Sequence, residues 1–225
     1  LINIPFIAAY LSASFLIYFL ATGVAILRRR NVAEAAVEAQ CATIGNVGFL
    51  GIPMLAMLMG PEAVLWVMLV LAIDQLVFGS LIVILIVGSR DGRMSFGMLK
   101  TVGMGLIKNP MIMAMVAGLL CSSSGWALPV PATEFFDILG AAATPGALFA
   151  IGASLASKSA ERLSVASWLA FCKLILHPAA VAIAALFVFP VAAYPAAVLI
   201  AATALPVAGN IFILATHYEV APQRV

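Results

Sequence analysis

The sequence predicts an all-α membrane protein, a bundle of about seven helical spans. Of its 225 residues, 65% are hydrophobic and 9% are charged, whereas soluble domains contain about 25% charged residues. The apolar residues also fall into long runs, and a run of about 20 such residues can cross a bilayer as a helix. The lack of charge argues against a disordered chain and against a nucleic-acid-binding protein.

Seven apolar segments are long enough to be spans. They cover residues 4–27, 35–60, 63–89, 107–124, 132–156, 165–189 and 193–217. Residues 94–106 could form a short helix on the membrane surface before the fourth span. No basic region or cleavage site precedes the first span, so no signal peptide is predicted. The abrupt start and end of the chain predict that it is part of a longer protein.

The placement of basic residues predicts the orientation. Of the eleven Lys and Arg residues, ten lie on alternate connections or at the end of the last span, beginning with Arg28, Arg29 and Arg30 after the first span. The connections between them, such as "GPEA" after span two, carry none. Because cytoplasmic loops are enriched in Lys and Arg, the basic connections should be cytoplasmic. The exception, Lys173, lies within a span.

The cysteines give no sign of a disulfide or a metal site. Cys41, Cys121 and Cys172 lie in or beside apolar segments, and their spacing is typical of neither a disulfide framework nor a zinc site. They are predicted to pack as small apolar side chains. No metal site and no cofactor are predicted.

Two of the spans contain residues that interrupt a helix. Span two carries "TIGNVGFLGIPM" (43–54), and span seven carries "ALPVAGNIF" (204–212). Each interruption contains proline, glycine and asparagine: proline lacks the N–H of a helix, glycine adopts conformations that other residues avoid, and asparagine can cap a helix end. Backbone freed at membrane depth is tolerated only where protein buries it or where it lines a cavity.

The two interruptions favour a shared binding site. Gly and Pro are common in membrane helices as kinks and packing residues, so one such motif alone would carry little weight. Here two motifs lie at matching places in spans of opposite direction, as in the inverted repeats of secondary transporters. At such a break one helix end offers N–H groups to an anion, and the other offers carbonyls to a cation.

Five motifs in order resemble the auxin efflux carrier family. They are "GNVGFLGIP" with "MLMG", "IKNPMIMAMVAGLL", "LFAIGASLA", "KLILHPAAV" and "ALPVAGNIFILA", and they cover nearly the whole chain. That family includes plant auxin carriers and bacterial carriers linked to malonate or related carboxylates. The chain lacks the long hydrophilic central loop of the plant carriers, which indicates a bacterial-type member of the inner (plasma) membrane.

The resemblance implies ten spans in two inverted repeats of five, with a fold similar to that of bile-acid sodium symporters. Residues 1–89 would then hold spans three to five with a broken helix at 35–60. Residues 90–106 would be a cytoplasmic connection, and residues 107–225 would hold spans six to nine with a broken helix at 193–217. The two broken helices would cross and line the substrate pocket through Asn46, Gly48, Pro53, Pro206, Gly209 and Asn210.

Further polar residues inside the spans are candidates for coupling or substrate contact. Asp74 lies near the middle of span three beside Gln75, and it could carry a proton, contact the substrate or pair with a cation such as Lys173. Lys173 and His177 are four residues apart and therefore share a helix face. Pro178 disfavours regular helix at His177. For Lys173 an inward-facing role competes with snorkelling, and for His177 a buried structural role competes with a proton relay.

The predicted function is secondary active transport of a small organic anion, a carboxylate, by alternating access. The expected partners are this anion, a proton or sodium ion, the lipid bilayer and a second copy of the chain in a homodimer. A channel-like or sensory membrane protein is one alternative. An intramembrane enzyme is another, but the sequence carries neither a His-Glu-x-x-His nor a Gly-x-Ser-x-Gly motif, so no enzyme activity is predicted.

Overall fold

The computed structural model describes residues 3–91, 103–104, 107, 110–125, 127–155 and 163–222. Apart from one isolated β-bridge, the regular structure in these ranges is helical, which agrees with the predicted all-α class. Three helices of the described chain are long and apolar enough to cross a membrane: Ile4–Leu27, Ala63–Ser89 and Leu163–Val188. Shorter apolar helices cover Val47–Met59 and Ala193–Thr203.

Helix α1 (Ile4–Leu27) begins at a cap and is buried along a stripe of small residues. The side chain of Asn3 accepts a hydrogen bond from the backbone N–H of Phe6 at 3.0 Å. Ala9, Ala13 and Ala21 are buried on this helix. Small residues let neighbouring membrane helices approach closely, and α1 packs along α2 (Val32–Thr43).

The second predicted span is interrupted. Helix α2 ends at Thr43, and a π-helical turn, Val47–Gly51, leads into α3 (Ile52–Met59). The carboxylate of Glu38 on α2 is buried and forms an ion pair with the guanidinium of Arg28, so its negative charge is compensated by a residue that follows α1.

The third and sixth predicted spans are continuous but contain π turns. In the third, α4 (Ala63–Ile73) passes through the π turn Asp74–Phe78 into α5 (Gly79–Asp91). In the sixth, α8 (Leu163–Phe171) passes through the π turn Cys172–Leu176 into α9 (His177–Ile183), and a second π turn, Ala184–Val188, ends the helix.

Pro178 does not break the sixth span, although the sequence predicts disturbed helix at His177. A π turn contains one extra residue. It can therefore accommodate a proline, which lacks the N–H of a regular helical hydrogen bond. The turn Cys172–Leu176 directly precedes His177 and Pro178, so the helix continues through the proline. The disturbance therefore takes the form of a widened turn.

The remaining helices occupy the predicted fourth, fifth and seventh spans. They are α6 (Pro110–Ser124), α7 (Val130–Leu155), α10 (Ala193–Thr203) and α11 (Gly209–His217). Helices α10 and α11 are the two halves of the seventh span, separated by residues 204–208. The predicted surface helix 94–106 lies outside the described residues except for residues 103 and 104.

Candidate functional site

The two interruptions meet at the centre of the described helices. Gly45, in the gap between α2 and the π turn Val47–Gly51, forms an antiparallel β-bridge with Val207, in the gap between α10 and α11. The N–H of Asn46 donates to the carbonyl of Pro206 at 2.8 Å, and the N–H of Ala208 donates to the carbonyl of Ile44 at 3.3 Å. We call this meeting point, residues 44–46 and 204–208, the crossover.

The crossover satisfies much of the backbone that the interrupted helices release. Besides the two bridge bonds, the carbonyl of Asn46 accepts from the N–H groups of Leu50 and Gly51 at 3.1 and 2.9 Å. Unpaired peptide groups inside a bilayer are costly because no water is available to bond them. Pairing the gaps with each other is the physical reason why both can persist at this depth.

The two asparagines play different structural roles. The side-chain oxygen of Asn46 caps the turn that follows it by accepting from the N–H of Phe49 at 3.3 Å, as expected of asparagine at a helix start. Asn210 does not cap α11, because the cap position is Ala208 and Asn210 already lies in the first turn. Its buried Oδ1 has no hydrogen-bond partner within the described part of the chain. Of the two asparagines, Asn46 therefore caps a helix start and Asn210 does not.

One side of the crossover gathers six of the sequence-predicted residues around a cavity of about 20 Å³. These six are Asn46, Gly48, Asp74, Gln75, Gly209 and Asn210. They come from both interrupted spans and from the third span. We call this side the Asp74 face.

Asp74 is held by a tyrosine from α1. The carboxylate is 3% exposed, and its Oδ1 accepts a hydrogen bond from the hydroxyl of Tyr10. Lys173 interacts electrostatically with this carboxylate but does not form an ion pair with it. The ion pairs among the described residues are Arg28–Glu38 and Arg30–Glu34. The structure therefore does not show the direct pairing of Asp74 with Lys173, which is one of the interpretations that the sequence leaves open.

A buried ammonium group lies at a second cavity beside the crossover. Lys173 Nζ donates to the carbonyl of Thr203, the last residue of α10, at 2.6 Å, and lies 3.3 Å from His177 Nδ1. In a continuous α-helix the Thr203 carbonyl would accept from the N–H of Val207, but the helix ends at Thr203 and Val207 is bridged to Gly45 instead. Lys173 thus supplies a donor that the break removes.

His177 continues this polar chain to α1. Its Nε2 lies 2.9 Å from Ser14 Oγ. When Lys173 is charged, its ammonium can only donate, so His177 Nδ1 then accepts and Nε2–H donates to Ser14 Oγ. Lys173 therefore faces inward rather than snorkelling. His177 is buried between Lys173 and Ser14, and both its structural role and its relay role stay predictions.

The prolines lie apart from the cavity on the Asp74 face. Pro206 lines a cavity of about 250 Å³ on the Lys173 side, together with Cys41, Lys173 and apolar side chains. Pro53 lies in the first turn of α3, beyond the π turn. The structure therefore distributes the predicted site residues over two sides of the crossover instead of one pocket.

Sequence reasoning missed three partners in this network: Tyr10, Ser14 and Thr203. Tyr10 and Ser14 are four residues apart, so they lie on one face of α1, and both are buried. Two polar side chains on one face of an apolar span were the signal from which their part in a buried polar network could have been predicted. Thr203 takes part through its backbone carbonyl, for which side-chain chemistry gives no signal.

Comparison with known proteins identifies the family to which the chain belongs. The family described as "Membrane transport protein" matches residues 1–225, the whole chain. The chain belongs to this family, the auxin efflux carrier family. A relative in Rhizobium meliloti (strain 1021), named "Putative malonate transporter", is 25% identical over 227 residues, which cover 97% of this chain and 69% of the relative. Membership, together with the apolar helices, identifies a multi-pass integral membrane protein of a transport family.

Proposed function

We propose that this member of the auxin efflux carrier family is a secondary active transporter for a small organic anion, a carboxylate, and that the anion binds at the crossover. The observation that carries the proposal is the meeting of two interrupted helices inside a membrane protein of a transport family. In secondary transporters, discontinuous helices form the substrate site near the middle of the membrane.

The helix starts at the crossover and the name of a relative together support an anionic substrate. Both Val47–Met59 and Gly209–His217 begin there, and the start of a helix carries free N–H groups and a partial positive charge that favour anions. The name of the Rhizobium relative includes malonate, a dicarboxylate. We therefore propose the carboxylate class, with Asn46, Gly48, Gly209 and Asn210 as the residues nearest to the anion.

Binding requires the crossover region to open. A cavity of about 20 Å³ holds about one water molecule and is too small for an organic anion. Alternating access supplies the necessary motion, because one group of helices moves against another around the site. In the proposed full-length protein, two inverted repeats of five spans provide the mobile part and the scaffold.

Reconstitution of the purified full-length protein in liposomes tests this proposal. We expect saturable uptake of radiolabelled malonate or a related dicarboxylate, accelerated when the liposomes are preloaded with unlabelled substrate. Such counterflow distinguishes a carrier from a channel. A panel of dicarboxylates and indole acids that gives no saturable uptake would contradict the proposal, and uptake without counterflow would favour a channel.

Two variants address the site itself. Asn46→Ala removes the cap at Phe49, and Asn210→Ala removes the buried side-chain oxygen. Each should lower counterflow at least tenfold while the protein still inserts into the membrane. Asn31→Ala is the matched control, because Asn31 caps α2 by accepting from the N–H of Glu34 at 2.8 Å but lies away from the crossover. Normal transport by both site variants would show that the asparagines do not contribute to the substrate pocket.

A further inference from the structure

Three buried oxygen atoms without hydrogen-bond donors belong to residues that line one cavity beside the crossover. They are Gln40 Oε1, Asp74 Oδ2 and Asn210 Oδ1, for which the described residues supply no hydrogen-bond partner. Gln40 and Asp74 are 5% and 3% exposed. A buried oxygen without a partner costs about 1–3 kcal/mol, so three of them in one place call for a ligand.

These oxygens line one cavity of about 40 Å³. Its other walls include Gln75 and the apolar side chains of Ile82 and Leu214. The three ligand side chains come from three different elements: Gln40 from α2 before the first break, Asp74 from the π turn of the third span, and Asn210 from α11 after the second break. A ligand in this cavity would tie both interrupted spans to the continuous one.

We infer that this cavity binds a monovalent metal cation of the size of sodium. Carboxylate and amide oxygens are ligands for hard cations, and three acceptors exceed the two protons that a single water molecule could donate. The cavity has room for one small ion with a water molecule beside it, since about 10–15 Å³ of cavity volume is enough for one water molecule. One carboxylate balances one positive charge.

Divalent cations fit this cavity less well. Mg²⁺ usually keeps several of its own water molecules, and Ca²⁺ takes 6–8 oxygen ligands. The single carboxylate of Asp74 would also leave one of the two positive charges of either ion uncompensated. Transition metals are also disfavoured, because the described chain contains no group of three His, Cys, Asp or Glu side chains placed to hold a metal.

The position of the cavity suggests how a cation would couple to the anion, an inference that rests on the proposed function. Asp74, Gln75 and Asn210 line both this cavity and the smaller cavity on the Asp74 face. An anion beside the Asp74 carboxylate would be repelled, and a cation on Oδ2 would remove that repulsion. By linkage, the cation and the anion then raise each other's affinity by the same factor.

Thermal unfolding without substrate tests the cation site separately from transport. The purified full-length protein would be melted in LiCl, NaCl, KCl or choline chloride at equal total salt. We expect sodium to raise the midpoint by several degrees over choline, with saturation as its concentration increases, because a ligand that binds only the folded state stabilises it. Equal midpoints in all four salts would overturn the inference, whatever the transport assay shows.

Substitutions of the three ligand residues test whether sodium stabilises the protein by binding in this cavity. Asp74→Asn, Asn210→Ala and Gln40→Met should each abolish the difference between sodium and choline, whereas Asp137→Asn, which removes an exposed carboxylate from α7, should retain it. If Asp74→Asn does not fold, the two neutral substitutions still decide the question. A sodium response that survives both of them would overturn the assignment of this cavity.

Discussion

Lys173 illustrates how a single side chain can replace backbone hydrogen bonding inside a membrane. Its ammonium is 3% exposed and donates to the last carbonyl of α10, at the helix end where the partial charge is negative. A Cβ on Gly45 would lie only 3.3 Å from Lys173 Cε and Nζ. The lysine therefore also packs against the first interruption, and the absence of a side chain at position 45 makes room for it.

Substitution of Lys173 by Met should damage the crossover while keeping the shape of the side chain. The change leaves the Thr203 carbonyl and His177 Nδ1 without their donor, at about 1–3 kcal/mol for each buried group, and removes the positive charge that acts on Asp74. We expect a lower thermal midpoint for the purified full-length protein and at least a tenfold loss of counterflow.

The control for this prediction is Arg29→Met, which removes a positive charge from an exposed position. It should leave both measurements near the wild-type values. A Lys173→Met variant that melts and transports like the wild type would show that the ammonium is not needed to hold the crossover together.

Some of the network could be predicted from the residues and some could not. Lys173 and His177 share a helix face by their spacing, and their nitrogen atoms are 3.3 Å apart. Their other partners, Ser14 and the Thr203 carbonyl, lie 163 and 30 residues away in the sequence. Such contacts depend on how the helices pack, so spacing within one helix cannot identify them.

At the scale of the helices, polar side chains of the continuous spans lie at π turns. Asp74 opens the turn Asp74–Phe78, and Lys173 lies in Cys172–Leu176. A π turn widens the helix by one residue and is frequent at functional sites. The sequence shows an ionisable residue in each span but carries no pattern that distinguishes a π turn from regular helix, so these turns could not be predicted.

The interruptions themselves were predictable because their cause is local. Proline, glycine and asparagine act on the backbone of their own segment, and residues 44–46 and 204–208 lie inside the two stretches where these residues cluster. What the residues could not specify was the pairing of Gly45 with Val207. That register depends on the packing of side chains across the two segments.

Gly51 and Leu205 provide a test of that packing. A Cβ on Gly51 would lie 2.8 Å from Leu205 Cδ1, closer than two carbon atoms can approach, and Leu205 is buried at 3% exposure. Gly51→Ala should therefore overpack the contact between the two interrupted spans, at a cost of about 1–3 kcal/mol. The measurement is the thermal midpoint of the purified protein together with counterflow.

A second substitution should relieve this strain. Leu205→Val shortens the side chain that meets the new methyl group, so the double variant Gly51→Ala/Leu205→Val should melt at a higher temperature than Gly51→Ala alone. Gly23→Ala in α1 is the matched control, since nothing lies within 4 Å of its added Cβ; it should be neutral or stabilising. Equal destabilisation by Gly23→Ala and Gly51→Ala would argue against a specific contact.

For the whole molecule, polar groups are segregated by depth. The buried Asp74, Lys173 and His177 lie at the crossover, within the helices, whereas the ion pairs Arg28–Glu38 and Arg30–Glu34 lie where α1 ends and α2 begins. A charge inside the bilayer is costly unless it is paired and usually has a function. Asp74 and Lys173 therefore lie close to the place where both interrupted helices meet.

The alternation of basic connections makes a prediction about orientation that applies to the whole chain. The turn around Arg28–Arg30 should face the cytoplasm, and the turn between α3 and α4 should face the outside. Single cysteines can report both sides in a full-length background in which Cys41, Cys121 and Cys172 are replaced by Ala. Val32 and Glu62 are suitable positions, because both are exposed and they lie on opposite sides of one interrupted span.

In spheroplasts, a membrane-impermeant maleimide should label Glu62→Cys directly and Val32→Cys only after the membrane is permeabilised. We expect this result because the interrupted span α2–α3 should still cross the bilayer. Its freed backbone groups are hydrogen-bonded at the crossover, so they do not need water in the middle of the membrane. The cysteine-free background, which should not be labelled, is the control. Labelling of Val32→Cys alone would reverse the orientation, and labelling of both positions before permeabilisation would mean that α2 and α3 together do not cross the membrane.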